Sequence, residues 1–228
     1  MKGTTAMKKR TFTVALIICL VAIIGFGSLA YFQSSKNLTN YFAVAGITDP
    51  TDPDETINPD DLFSIKLDET DITKDDNTRT ESGNTYTGIL PGDTLKKDPT
   101  VTNTGKYDAW VRVKVTVTDA ADWKAVCAKH KITDLATIFN EFDATKWDRE
   151  IAEDVNDTTN NTLTYTYYYK TTVAPGGEAK LFDSITIPAV FDIEDMSDLS
   201  TFQLQITGEA IQAANTGDTA QAAFTLFE

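Results

Sequence analysis

The chain has 228 residues, with 20 Lys and Arg against 34 Asp and Glu, a single His, two Cys and a formal net charge of −14. At 41% hydrophobic and 24% charged it has the composition of a globular chain of one domain or two small ones. The acidity excludes nucleic-acid binding and a basic membrane patch, both of which need clustered Lys and Arg, and one His leaves little for metal or acid–base chemistry.

The charge is unevenly spread. Lys2, Lys8, Lys9 and Arg10 open the chain with no acid among them, and an apolar run extends from Phe12 to about Phe32. A basic start, an apolar stretch and the triplet Ser28-Leu29-Ala30 form a secretory signal peptide over residues 1–30, cleaved between Ala30 and Tyr31. A run of about 20 apolar residues is also long enough to serve as an uncleaved membrane anchor. Cleavage leaves 34 acids against 16 bases, a net −18, and removes Cys19. Cys127 then stands alone in an Ala- and Val-rich stretch, so no internal disulfide forms and Cys127 reads as a small core residue.

Beyond the leader most of the chain reads as β. An early strand is expected over Asn40–Gly46. Residues 48–61, with Asp49, Asp52, Asp54, Glu55, Asp60, Asp61 and three prolines, read as an acidic loop outside any sheet, and 70–84 as a second. Phe63, Ile65 and Leu67 alternate with Ser64 and Lys66. The clearest strand is Ala109–Thr118, with Val111, Val113, Val115 and Val117 on one face and Arg112, Lys114, Thr116 and Thr118 on the other. Leu163–Lys170, Leu181–Ile187 and Phe202–Ile211 complete the set. Turn signals at Pro91-Gly92-Asp93, Asn103-Thr104-Gly105 and Pro175-Gly176-Gly177 separate these runs.

Residues 119–142 break the rhythm. Trp123, Val126, Cys127, Ile132, Leu135, Ile138, Phe139 and Phe142 fall at helical spacing, and Thr133-Asp134 marks a restart, so two short helices are expected there. A further short helix is expected near Thr219–Leu226. The sum is a mainly β chain: a jelly-roll-like antiparallel β-sandwich over residues 31–228, with acidic loops 48–61 and 70–84 and a helical insertion at 119–142.

No catalytic constellation emerges. His130 has no second histidine for the H-E-x-x-H zinc site of a peptidase, and no G-x-S-x-G elbow or phosphate-binding glycine loop is present. Cys127 and His130 lie i, i+3 on one helical stretch, whereas a catalytic thiol and imidazole normally come from separate elements. No cofactor is called for. Zinc has no ligand motif. The acidic loops offer the hard oxygens that calcium prefers, without the spacing of a calcium-binding loop.

Several stretches together resemble the TasA/camelysin (CalY) family. They are the leader with its exit Ala30-Tyr31-Phe32, the Asn40–Gly46 strand, Pro91-Gly92-Asp93, Val101-Thr102-Asn103-Thr104-Gly105 running into Ala109-Trp110-Val111-Arg112-Val113, and Ile206-Thr207-Gly208-Glu209-Ala210-Ile211-Gln212-Ala213. The resemblance implies secretion from a Gram-positive cell through a SipW-type signal peptidase. It also implies self-polymerisation into extracellular biofilm matrix fibres, with accessory matrix proteins as further partners. Camelysin relatives are also labelled cell-surface metallo-endopeptidases, an alternative for which the sequence supplies no zinc motif.

For a fibre subunit, the expected contact is strand donation. The segment freed by cleavage, Tyr31–Ala43 and on to Val44, carries Tyr31, Phe32, Leu38, Tyr41, Phe42 and Val44, which suit it to pair with a neighbour's sheet edge. The same segment is equally suited to pair within its own sheet. A third reading is an adhesin that presents Trp110, Tyr165, Tyr167, Tyr168 and Tyr169 to a partner.

Overall fold

The computed structural model describes residues 33–35, 48–49, 52–56, 63–72, 78–80, 83–140, 142–199 and 201–228. The leader, the Ala30–Tyr31 cleavage site, the Asn40–Gly46 strand and the donor residues Tyr31, Phe32, Leu38, Tyr41, Phe42 and Val44 lie outside the described residues.

In chain order the strands are β1 (Gln33–Ser35), β2 (Thr48–Asp49), β3 (Asp52–Thr56), β4 (Ile65–Asp68), β5 (Thr78–Thr80), β6 (Gly83–Thr85), β7 (Thr94–Lys96) and β8 (Thr100–Asn103). They continue with β9 (Ala109–Thr118), β10 (Phe139–Asn140), β11 (Trp147–Arg149), β12 (Val155–Asp157), β13 (Thr162–Tyr169), β14 (Glu178–Lys180), β15 (Ser184–Thr186) and β16 (Leu204–Gln212). Three α-helices are described: α1 (Ala120–Lys129), α2 (Ile193–Asp198) and α3 (Ala220–Thr225).

The architecture is an antiparallel β-sandwich with a short helical insertion. One layer is a sheet of order β1-β16-β9-β13-β11, with β12 also on β13. The other layer consists of two three-stranded sheets, β14-β8-β4 and β10-β15-β7. Consecutive strands β8 and β9, β13 and β14, and β15 and β16 belong to different sheets, so the chain crosses repeatedly between layers. The layers meet closely at Gly208 on β16, where a Cβ would lie 3.0 Å from Val101 Cγ2 on β8. A larger residue there would force the two sheets apart.

The valine face of β9 is the centre of the core: Val111, Val113, Val115 and Val117 are fully buried. Each such side chain contributes about 1.5–3 kcal/mol relative to exposure. Phe139 on β10 stacks on Phe182 at 4.9 Å and meets the Tyr165 ring edge-on at 6.0 Å, joining the second layer to β13.

The helical insertion forms in part as expected. α1 buries Trp123, Val126 and Cys127. Asp134 caps the next segment, accepting a hydrogen bond from the Ala136 backbone N–H, but Leu135–Ile138 is a single 3-10 turn. The chain then enters β10, because Phe139 is recruited by pairing with Ile185 and by stacking on Phe182. The expected Leu181–Ile187 strand is also shorter, forming only as β15 at Ser184–Thr186. Leu181 and Phe182 are both buried, which breaks strict alternation, and here the chain passes from β14 in one sheet to β15 in the other.

The acidic stretches hold small two-stranded hairpins apart from the larger sheets, β2 with β3 and β5 with β6. In a two-stranded ribbon both strands are edges, so Pro53 within β3 removes no interior ladder bond.

Asn103 is buried, and its side-chain amide is hydrogen-bonded at both ends. Its Nδ2 donates to the carbonyls of Tyr107 (2.7 Å) and Val173 (2.8 Å), and its Oδ1 accepts from the Gly105 N–H (3.0 Å). Its backbone also exchanges hydrogen bonds with Gly176 and Gly177. One side chain thus ties two turns to the start of β9. Asn103→Ala is expected to lower the unfolding free energy by about 1–2 kcal/mol, read by urea denaturation, because it takes the partner from the Tyr107 carbonyl, whereas the Val173 carbonyl keeps the Ala109 N–H and the Gly105 N–H keeps the Ser64 carbonyl. A loss below about 0.5 kcal/mol would show that water replaces the side chain there.

Candidate assembly edge

The two edges of the large sheet are built differently. At one, β11 and β12 are three residues each and are separated by a 3-10 turn at Ile151–Glu153, with Arg149 and Asp154 ion-paired beside it. Short, interrupted and charged, this edge is poorly suited to accept another strand.

The other edge is β16, nine residues long and paired along its whole length with β9, from Leu204 opposite Val117 to Gln212 opposite Ala109. On its outer side β1 covers a short part, with Gln33 opposite Ile211, Ser34 opposite Ala210 and Ser35 opposite Glu209. Among the described residues, Leu204–Gly208 have β9 as their one strand neighbour. This stretch reads Leu-Gln-Ile-Thr-Gly, with neither a charge nor a proline to discourage pairing. Leu204 and Ile206 pack against the core.

The covered end of β16 is anchored by a charged cluster on the outer face of the sheet. Arg112 on β9 lies directly opposite Glu209 and is 3% exposed. Its Nε donates to Glu209 Oε2 and its Nη1 to Glu228 Oε1, each at 2.5 Å, and Nη1 also reaches the Tyr168 hydroxyl at 3.3 Å. The guanidinium carbon sits 4.2 Å from the Phe224 ring centroid. α3, capped by the Thr219 hydroxyl, lays Ala220, Ala223 and Phe224 over Trp110, Tyr168 and Ile211. This face of β9 is therefore buried too.

The tyrosines proposed for an adhesin are packing residues. Tyr165 and Tyr167 are buried in the core, Tyr168 lies beneath α3 and donates to Glu153 at 2.6 Å, and Tyr169 packs on Trp147 at 4.9 Å. Trp110 is buried under α3 as well. None of these offers an open binding face.

His130 is engaged rather than free. Its Nε2 lies 2.7 Å from Asp195 Oδ2, and its ring packs 5.4 Å from that of Phe191. Asp195, on α2, also binds Lys129 Nζ at 2.8 Å and accepts from the Asp192 N–H, within a reciprocal capping box with Asp192. Lys129, then the Asp192 N–H and His130, hold the Asp195 carboxyl well below the usual carboxylate range. Burial pushes the Cys127 thiol up, away from a reactive thiolate. Among the described residues, no three His, Cys, Asp or Glu side chains gather to hold a metal ion.

Strand alternation located Arg112, and Glu209 fell within the expected Phe202–Ile211 strand, but nothing in the sequence marked them as partners or showed α3 closing over them. The Asp192–Asp195 spacing is a cap signal visible in sequence, whereas its link to His130 across 65 residues is tertiary.

Two outcomes are expected. Arg112→Leu leaves Glu209 on a covered face with Lys114, at 3.5 Å, as its remaining cation and should lower stability by about 2–3 kcal/mol, largely recovered in Arg112→Leu/Glu209→Leu; equal losses in both variants would deny the pair this role. For Asp195 the folded pKa lies below the unfolded value of about 3.9, so its stabilisation is present above about pH 4 and lost as pH falls through the lower folded value. The difference in Tm between the wild type and Asp195→Asn should therefore be widest at neutral pH and shrink below about pH 4. A gap that stays constant to pH 2 would contradict this.

No protein-family model matches the chain, and no curated protein matches it.

Proposed function

We propose that this chain is a secreted structural subunit that polymerises with itself into extracellular matrix fibres, each subunit donating its N-terminal segment to a neighbour's sheet edge. One observation carries the reading: β1 begins three residues after Ala30 and pairs with β16, beyond which Leu204–Gly208 run on uncharged and proline-free. A segment released by cleavage thus belongs to the strand edge most open to pairing. Exchange of that segment between subunits reproduces the same backbone hydrogen bonds in trans, so assembly needs no new recognition chemistry. The sandwich fold and the resemblance of residues 91–117 and 202–213 to TasA/camelysin proteins support the same reading. So does the engagement of the lone His in a structural clamp.

The test is electron microscopy of two forms, one starting at Tyr31 and one starting at Tyr41. The first should form fibres. The second should remain a folded monomer by size-exclusion chromatography and circular dichroism. Fibres from the shorter form would eliminate strand donation, and a longer form that never polymerises would eliminate the subunit role.

A further inference from the structure

The buried apolar residues form two separate clusters, and the smaller lies on the outer face of the large sheet. Trp110, Tyr168 and Ile211 come to it from the strands, and Ala220, Ala223 and Phe224 from α3. With six residues, α3 is too short to hold as a helix without the sheet beneath it. Two of its three buried side chains are alanines, so Phe224, 1% exposed, supplies most of its apolar contact. The Phe224 ring lies 4.2 Å from the Arg112 guanidinium carbon and 5.9 Å from the Tyr168 ring. Side-chain ties to the sheet are at the surface. Gln221 donates to Glu150 at 3.0 Å, and Glu228, whose side chain is 57% exposed, pairs with Arg112. Ties of this kind contribute little.

Lifting α3 strands no charge. Arg112 gives up Glu228 but keeps Glu209, opposite it on β16, and the Tyr168 hydroxyl, and its guanidinium regains water. The closed arrangement also shuts the Trp110 Nε1 donor away from water without a partner, a cost that opening relieves. The link from β16 is fastened at its own end, where the Thr216 hydroxyl donates to the Gln212 carbonyl at 2.7 Å. Beyond it Gly217, at φ 121°, has the backbone freedom that a pivot uses. We propose that α3 is a detachable cover, which lifts as a unit about Gly217 while the sandwich stays folded and bares the face formed by Trp110, Arg112, Tyr168 and Ile211. That face reaches Glu209 and Ile211, which belong to the stretch of β16 paired with β1. The inference does not depend on the assembly reading.

The three tryptophans supply both the readout and its controls: Trp110 lies under α3, whereas Trp123 and Trp147 belong to the main core. Hydrogen exchange of the ¹⁵N-labelled full chain is followed at the three indole N–H groups, each assigned by its loss on substitution with Phe. Under native conditions the Trp110 indole should exchange at least about tenfold faster than the other two, because cover opening needs less free energy than global unfolding. Phe224→Ala should speed Trp110 exchange by a further factor of about ten or more and leave Trp123 and Trp147 unchanged. Glu228→Gln, a milder change at the surface tie, should act in the same direction by about two- to fivefold. The inference is overturned if the Trp110 indole exchanges as slowly as the other two, if Phe224→Ala speeds all three equally, or if neither variant speeds Trp110 exchange.

Discussion

The rest of the molecule is organised around the burial of β9 on both faces. Its valines face the opposing layer, while Trp110 and Arg112 lie beneath α3. A strand enclosed in this way needs hydrogen-bonded neighbours on both sides, which β16 and β13 provide. It also needs a partner for any charge it carries, and Glu209 and Glu228 provide that for Arg112. The position of the C-terminal helix, the register of the last strand and the close approach at Gly208 all follow from covering this one strand.

The same arrangement decides which edge of the sheet is open. β13 is flanked by two short strands with a 3-10 turn and an ion pair between them, which caps growth on that side. β16 must be long to match β9, so its outer edge is long as well, and among the described residues β1 pairs with Glu209–Ile211 of it. In the proposed function that edge receives a strand from a neighbour. On that proposal, subunits cleaved after Ala30 would carry a net −18 and repel one another, so backbone pairing and apolar burial would have to outweigh that repulsion, with salt screening reducing it. Among the described residues, the hairpins of the acidic stretches, β2 with β3 and β5 with β6, are hydrogen-bonded to none of the larger sheets.

Legibility in the sequence tracked how local each signal was. Period-two alternation placed Ala109–Thr118 to the residue, and the terminal helix near Thr219–Leu226 formed as Ala220–Thr225. Signals failed where a distant partner overrode them. Phe139 has helical spacing but joins β10 because Phe182 offers a stacking face. Leu181 and Phe182 read as the start of a strand but mark the passage between two sheets. The tyrosines of β13 suggested a recognition surface, and their burial by Phe139, Phe142 and α3 makes them core.

By itself the sequence determined the β character of the chain, its central strand, its helical insertion and its shortage of metal and acid–base ligands, because alternation and composition act within a few residues. Only the tertiary structure decided which strands are neighbours, that Arg112 answers Glu209 and Glu228, and that His130 is held by Asp195. Those facts depend on contacts between residues far apart in the chain, and they are set by how two layers close over one strand rather than by any local pattern.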